Sequence, residues 1–143
     1  MWELSAIQGS RYNSGMRKKV LLVDDQPLDL ALTRQALKDC SIEHEIVSAA
    51  DGFEGLHQLG AQHFDVVVLD LKMPKVDGFE VLAQMRIPPI LSSTPVIVVS
   101  NSDLQADRVR ADALGAVEYV HKSLDYSAFK DELKAALGRH GFC

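Results

Sequence analysis

The chain has 143 residues and a mass of 15.7 kDa, with 20 Asp and Glu against 15 Lys and Arg, a formal charge of −5. That length suits one ordinary domain, and 47% hydrophobic with 24% charged residues is too apolar for a disordered chain. The acid surplus excludes a face built mainly for nucleic acid or anionic lipid, and no apolar run approaches the ~18 residues of a membrane span.

The first fifteen residues, MWELSAIQGSRYNSG, carry neither an apolar period nor the order of a signal peptide, so residues 1–15 are expected to be a tail and 16–143 the domain. Met16 precedes the one basic run, Arg17-Lys18-Lys19. From there short runs rich in β-branched residues alternate with helical patterns. Lys19–Val23, Glu45–Ala49, Val66–Leu69, Val96–Val99 and Val117–Val120 predict strands buried on both faces. Leu30, Thr33 and Leu37 share one helical face; Phe79, Leu82 and Met85 share another; Phe129, Leu133 and Leu137 share a third.

Helix starts are signed by Asp51 with Glu54, Asp77 with Glu80, and Ser102 with Gln105, each a capping side chain three residues ahead of Glu or Gln. Gly115 predicts a helix end, and Ile87-Pro88-Pro89 stops the third helix, because a residue before proline is pushed out of the helical region. Five strands alternating with five helices predict a doubly wound α/β fold with a parallel sheet covered on both faces. The fifth helix is expected to end near Leu137, leaving six residues and no room for a second domain. Cys40 and Cys143 are too few and too ill-placed for a disulfide framework, which predicts a reducing compartment, with Cys40 packed near the end of helix one.

In open sheets of this kind ligands bind beyond the carboxyl ends of the strands. Strand one ends in Asp24-Asp25, strand three in Asp70, strand four in Ser100, and strand five runs from Tyr119 to Lys122. Singly, each has an ordinary structural use: a cap, a turn residue, a loop hydroxyl, a solvated lysine. Five residues in separate structural uses would not be expected to select one rim of one sheet.

The stretches VLLVDDQP, VVVLDLKMPKVDGFEVL, VIVVSNSD and LGAVEYVHKS resemble the receiver domain of two-component response regulators, in the stand-alone manner of the chemotaxis regulator, over roughly Arg17 to Leu137. The resemblance implies a flavodoxin-like sheet in the order 2-1-3-4-5. It implies that Asp70 accepts a phosphoryl group from a sensor histidine kinase or phosphotransfer protein. Asp24, Asp25, Asp70 and the backbone carbonyl of Lys72 would hold Mg²⁺, Ser100 and Lys122 would contact the phosphoryl oxygens, and Tyr119 would change rotamer as a switch. Such a domain is a cytoplasmic signalling module rather than an enzyme. Its output would be a changed surface on helix four, strand five and helix five, offered to an unknown downstream protein or a second copy in a homodimer, with no nucleic acid and no membrane.

Elementary charge arithmetic supports the metal: three clustered carboxylates repel an incoming phosphoryl group unless a divalent cation and the Lys122 ammonium offset them. Gly78 and Pro74 would shape the turn that aims the backbone after Asp70.

The chain departs from the family pattern where Ser123 replaces the usual proline after the lysine; a non-proline cis bond costs about 2.5–4 kcal/mol, so Lys122–Ser123 is expected to be trans. Lys72, a long cation two residues after the acceptor, is expected with Ser102 to tune water's access to the acyl phosphate. The histidines form no metal-ligand spacing; His121 is expected to be an exposed strand residue, and Phe53 and Phe79 core or core-edge residues. A dehalogenase-type phosphatase would need an acid two residues after Asp70, where Lys72 stands. A flavodoxin-like carrier would need a Ser/Thr/Gly-rich loop after strand one, and a P-loop enzyme GxxxxGK[ST]. The remaining rival is a receiver-shaped module that binds its partner without phosphorylation.

Overall fold

The computed structural model describes residues 17–143; the expected tail, with Met16, lies outside the described residues. Strands β1 (Lys18–Val23), β2 (His44–Ala49), β3 (Val66–Asp70), β4 (Val96–Ser100) and β5 (Glu118–His121) alternate with helices α1 (Pro27–Lys38), α2 (Gly52–Ala61), α3 (Gly78–Met85), α4 (Gln105–Ala113) and α5 (Tyr126–Arg139). All strand pairs are parallel, in the order β2-β1-β3-β4-β5. Each strand lies within a residue of its expected position. Among the described residues no helix is long and apolar enough to cross a membrane.

The two-residue period of the central strands divides the core. Val20, Leu22, Val66, Val68, Ile97 and Val99 face α1 and α5, packing with Ala36, Leu37, Phe129, Leu133 and Leu137. Leu21, Val23, Val67, Leu69, Val96 and Val98 face α2, α3 and α4, packing with Leu59, Phe79, Val81, Leu82, Met85 and Ala111. At roughly 1.5–3 kcal/mol per fully buried aliphatic side chain, these two faces supply the main drive to fold.

Local signals explain most boundaries. Asp51 and Asp77 accept from the backbone N–H of Glu54 and Glu80, at 2.7 and 2.9 Å, as the capping pattern predicts. Gly115 has φ +102°, the left-handed conformation that favours glycine after a helix. Three expectations fail. Ser102 does not cap α4: Leu104 occupies that position, and the Ser102 hydroxyl instead donates to Asp107 Oδ2 at 2.6 Å. The amide of Ser102 is drawn to Ser100 Oγ at 3.1 Å, which turns the loop away from cap geometry.

Phe53 is not in the core but 74% exposed, because α2 turns its buried face through Gly52, Gly55 and Leu59. Cys40 does lie just past α1, against the second core, but it is joined to Cys143 by a disulfide. The separation of 103 residues conceals in sequence what the side-by-side packing of α1 and α5 brings together, and the expectation of a reducing compartment loses its basis.

Candidate functional site

Strand register sets the site. Val23 pairs with Leu69, Asp70 with Val99 and Ser100 with His121, so the carboxyl ends of β1, β3, β4 and β5 form one rim. The order reverses between β1 and β3, where such sheets open a crevice. Asp24 and Asp25 stand on one side of that crevice and Asp70 on the other.

Asp24 and Asp70 are each 3% exposed, and carboxylate oxygens of Asp24, Asp25 and Asp70 all lie within 4.8 Å of one another. Asp24 uses one oxygen to accept from the Gln26 N–H at 2.9 Å and the other to accept from Lys122 Nζ at 2.8 Å. It therefore serves the entry to α1 and the pocket at once. Asp25 Oδ1 is buried with no partner in the protein. Burial raises the Asp70 pKa from 3.8 to about 6; the Lys122 charge and the Lys72 N–H pull it down, and Asp24 and Asp25 push it up. Asp24 is raised for the same first reason, burial, against the hydrogen bond from Lys122.

Lys122 reaches into this cluster from the end of β5, where its N–H donates to the Ser100 carbonyl at 2.7 Å. Its ammonium lies 2.8 Å from Asp24, 2.9 Å from Asp29 and 3.5 Å from Asp70. Burial disfavours that charge, yet the hydrogen bonds to Asp24 and Asp29 and the field of Asp70 outweigh it and hold the pKa above the ordinary lysine value. The cis peptide among the described residues is Pro88–Pro89, so Lys122–Ser123 is trans, as expected of a non-proline bond. Lys122 enters the pocket nonetheless.

Asp29 is the residue that sequence reasoning missed. It sits in the first turn of α1, just past Asp24 and Asp25, where its carboxylate meets the Lys122 ammonium. With it the pocket holds four carboxylates against one ammonium, so three negative charges are uncompensated when all are ionised.

The loop from β3 to α3 is shaped as expected around Gly78. Its N–H donates to the Leu71 carbonyl at 2.9 Å, and a Cβ there would run into the Asp70 carbonyl and Leu71 Cα. Lys72 is directed away from the acids: its ammonium pairs with Asp107 of α4 at 3.2 Å and lies over the Phe79 ring. Ser100 is fully buried, its oxygen accepting from the Ser102 N–H. Tyr119 is half-buried on the outer strand; its hydroxyl donates to the Ser102 carbonyl at 2.8 Å and the Arg108 guanidinium lies 4.5 Å above its ring. A continuous chain of contacts thus runs from Ser100 through Ser102 to Tyr119, Asp107 and Lys72. His121 is half-buried, its Nε2 donating to the Asn101 carbonyl at 3.0 Å.

Residues 20–134 match the profile of the response regulator receiver domain. The chain belongs to that family. This receiver is 33% identical over 132 residues to the response regulator Rcp1 of Synechocystis, covering 87% of this chain and 88% of that one. It is 32% identical over 124 residues to the alkaline phosphatase synthesis transcriptional regulatory protein PhoP of Bacillus subtilis, covering 87% of this chain and 50% of PhoP. The chain thus spans about half the length of such transcriptional regulators. Among solved structures, that of the phosphorylated cyanobacterial phytochrome response regulator RcpA superposes with a TM-score of 0.77 at 34% identity, covering 85% of this receiver and 91% of RcpA. The Mn²⁺-bound form of Rcp1 gives 0.76 at 30%, covering 85% and 92%. Receivers of two-component systems are signalling domains that bind divalent metal and interact with histidine kinases or phosphotransfer partners.

Proposed function

We propose that this receiver takes a phosphoryl group from a histidine kinase or phosphotransfer protein onto Asp70, in a Mg²⁺-dependent reaction, and signals through the surface of α4, β5 and α5. The domain spans residues 16–143, with 1–15 a tail, and works in the cytoplasm. The observation that carries the reading is the acid trio at the β1/β3 crevice, with a lysine aimed into it and one buried carboxylate oxygen left unpartnered.

The donor set fits Mg²⁺. Mg²⁺ prefers oxygen ligands, and carboxylates are the donors this crevice offers. The trio, within 4.8 Å, brings three carboxylate oxygens close enough to gather about one such cation. Asp24, Asp25 and Asp70 would be the side-chain ligands, with the Lys72 carbonyl as a further one. When bound, the ion supplies two positive charges against the acids and the phosphoryl oxygens.

The chain's own groups do the rest. One Asp70 oxygen attacks the phosphorus in line as the phosphohistidine nitrogen departs, so the P–N bond breaks as the P–O bond forms. Lys122 and the Ser100 hydroxyl then face the transferred oxygens. The Ser100 hydroxyl can donate there while its oxygen keeps the Ser102 N–H, so a movement of that side chain towards the phosphoryl group pulls on the loop that also holds the Tyr119 hydroxyl. Lys72 and Ser102, both engaged with Asp107, set how easily water reaches the acyl phosphate from the α4 side.

Two measurements test this reading. Acetyl phosphate should label the protein in the presence of Mg²⁺ and not after its chelation, and Asp70→Asn should take no label. Size-exclusion chromatography with beryllofluoride and Mg²⁺ should show a changed elution or partner capture. A protein that takes no label yet captures the same partner in both states would instead be the phosphorylation-independent module.

A further inference from the structure

At the end of the sheet where the strands begin, opposite the acid pocket, Cys40 and Cys143 are joined Sγ to Sγ. Cys40 lies two residues past α1, and Cys143 ends a hook that turns back after α5. The hook is built by Gly141 in a left-handed conformation and by the Phe142 N–H donating to the Leu137 carbonyl at 2.9 Å. Phe142, 9% exposed, closes the lower edge of the second core, and its carbonyl accepts from His44 Nε2 at 2.7 Å. The hook therefore fastens α5 to the end of α1 and to the first residue of β2, an edge strand with one neighbour.

Two features make this bond exchangeable. Both cysteines are half-buried, and Cys40 lines an open cavity of about 380 Å³ with Ser41, Glu43 and His44, so a small thiol can approach from its side. The α1–α5 packing also does not depend on the bond. Lys130 pairs with Asp39 at 3.0 Å, the Tyr126 hydroxyl donates to the Leu32 carbonyl, and Ala36, Leu37, Leu133 and Leu137 share one core. Opening the disulfide would leave the helices packed and the hook held only by Phe142, through the core, Leu137 and His44.

We propose that Cys40–Cys143 is a thiol–disulfide exchange site, closed by a low-molecular-weight disulfide of the glutathione class and opened by the corresponding thiol, that docks or releases residues 140–143 against α1 and β2. In opening, a thiolate attacks one Sγ, the Sγ–Sγ bond breaks, and one protein thiolate leaves. A second small thiolate then attacks the outer sulfur of the mixed disulfide, releasing the small disulfide and the second protein thiolate. Each protein sulfur takes up one proton; two electrons have passed from two small thiols to the protein.

The experiment equilibrates the full chain, without denaturant, in buffers of graded reduced and oxidised glutathione, followed by alkylation and intact mass measurement. The expected result is a reversible transition from no alkyl groups to two, with a melting temperature lower by roughly 10 °C in the reduced protein. Hydrogen exchange should rise at residues 140–143 and His44, while the Mg²⁺ midpoint stays within about twofold, since the pocket lies at the other end of α1. Cys143→Ser should reproduce the reduced exchange pattern. Two alkyl groups in fully oxidising buffer, no alkylation until denaturant is added, or a hook equally protected in both states would each overturn the proposal. The reversible reduction of the natural chain decides it if Cys143→Ser does not fold.

Discussion

Asp70 keeps its proton to an unusually high pH for the reason that makes it receptive to a cation: burial withholds the water that would solvate its charge, and two more acids face it. A carboxyl whose pKa is higher folded than unfolded costs stability once it is ionised. That cost is absent below pH 4 and grows as pH rises through about 6. Asp70→Asn should therefore stabilise the metal-free protein at pH 7, by up to about 3 kcal/mol for a shift from 3.8 to about 6. The advantage should shrink towards zero by pH 4, and denaturant titrations at both pH values check it. Asp29 draws the Lys122 ammonium away from Asp70, 2.9 Å against 3.5 Å. Asp29→Ala should turn that charge towards Asp70 and lower its pKa by several tenths of a unit in a carboxyl NMR titration. Asp24, Asp25, Asp70, Ser100 and Lys122 were legible in sequence because each follows an apolar strand. Asp29 was not, since its role depends on the direction in which α1 leaves the pocket.

At the scale of elements, the helices differ in how firmly they are held. α3 buries Gly78, Phe79, Val81, Leu82 and Met85, and α4 only Ala111. α4 rests instead on side-chain contacts above the rim: Asp107 with Lys72 and Ser102, Arg108 over Tyr119, and Arg110 over Phe79. Asp107→Asn should change global stability by only ~0–1 kcal/mol, because the Lys72 ammonium it pairs with is more than half exposed to solvent. Amide exchange in α4 should nevertheless rise several-fold, since local opening there breaks few buried contacts. Gly78→Ala is the opposite case: its Cβ meets fixed backbone, so it should cost about 1–3 kcal/mol by calorimetry and weaken Mg²⁺ binding through the displaced Asp70 loop. The strands and two of the three capping boxes could be read directly. The Ser102 cap could not, because its amide is drawn to Ser100 across a turn that periodicity does not encode.

For the whole molecule, the parallel sheet converts five separated stretches into one rim, and the −5 of the chain is partly a concentrated pocket rather than a dispersed surface property. What sequence concealed at this scale were contacts between distant segments: the Cys40–Cys143 bond, His44 on Phe142, and Lys122 on Asp29. Each joins residues more than fifty positions apart and follows from layer packing alone. The proposed function turns on Asp70 as a metal-dependent phosphoryl acceptor. The direct measurement is borohydride reduction of protein treated with acetyl phosphate, followed by peptide mass spectrometry. An acyl phosphate at Asp70 is converted to homoserine at that position, in Mg²⁺ and not after its chelation. An unmodified aspartate at position 70 under both conditions, or homoserine formed at another carboxylate, would contradict it.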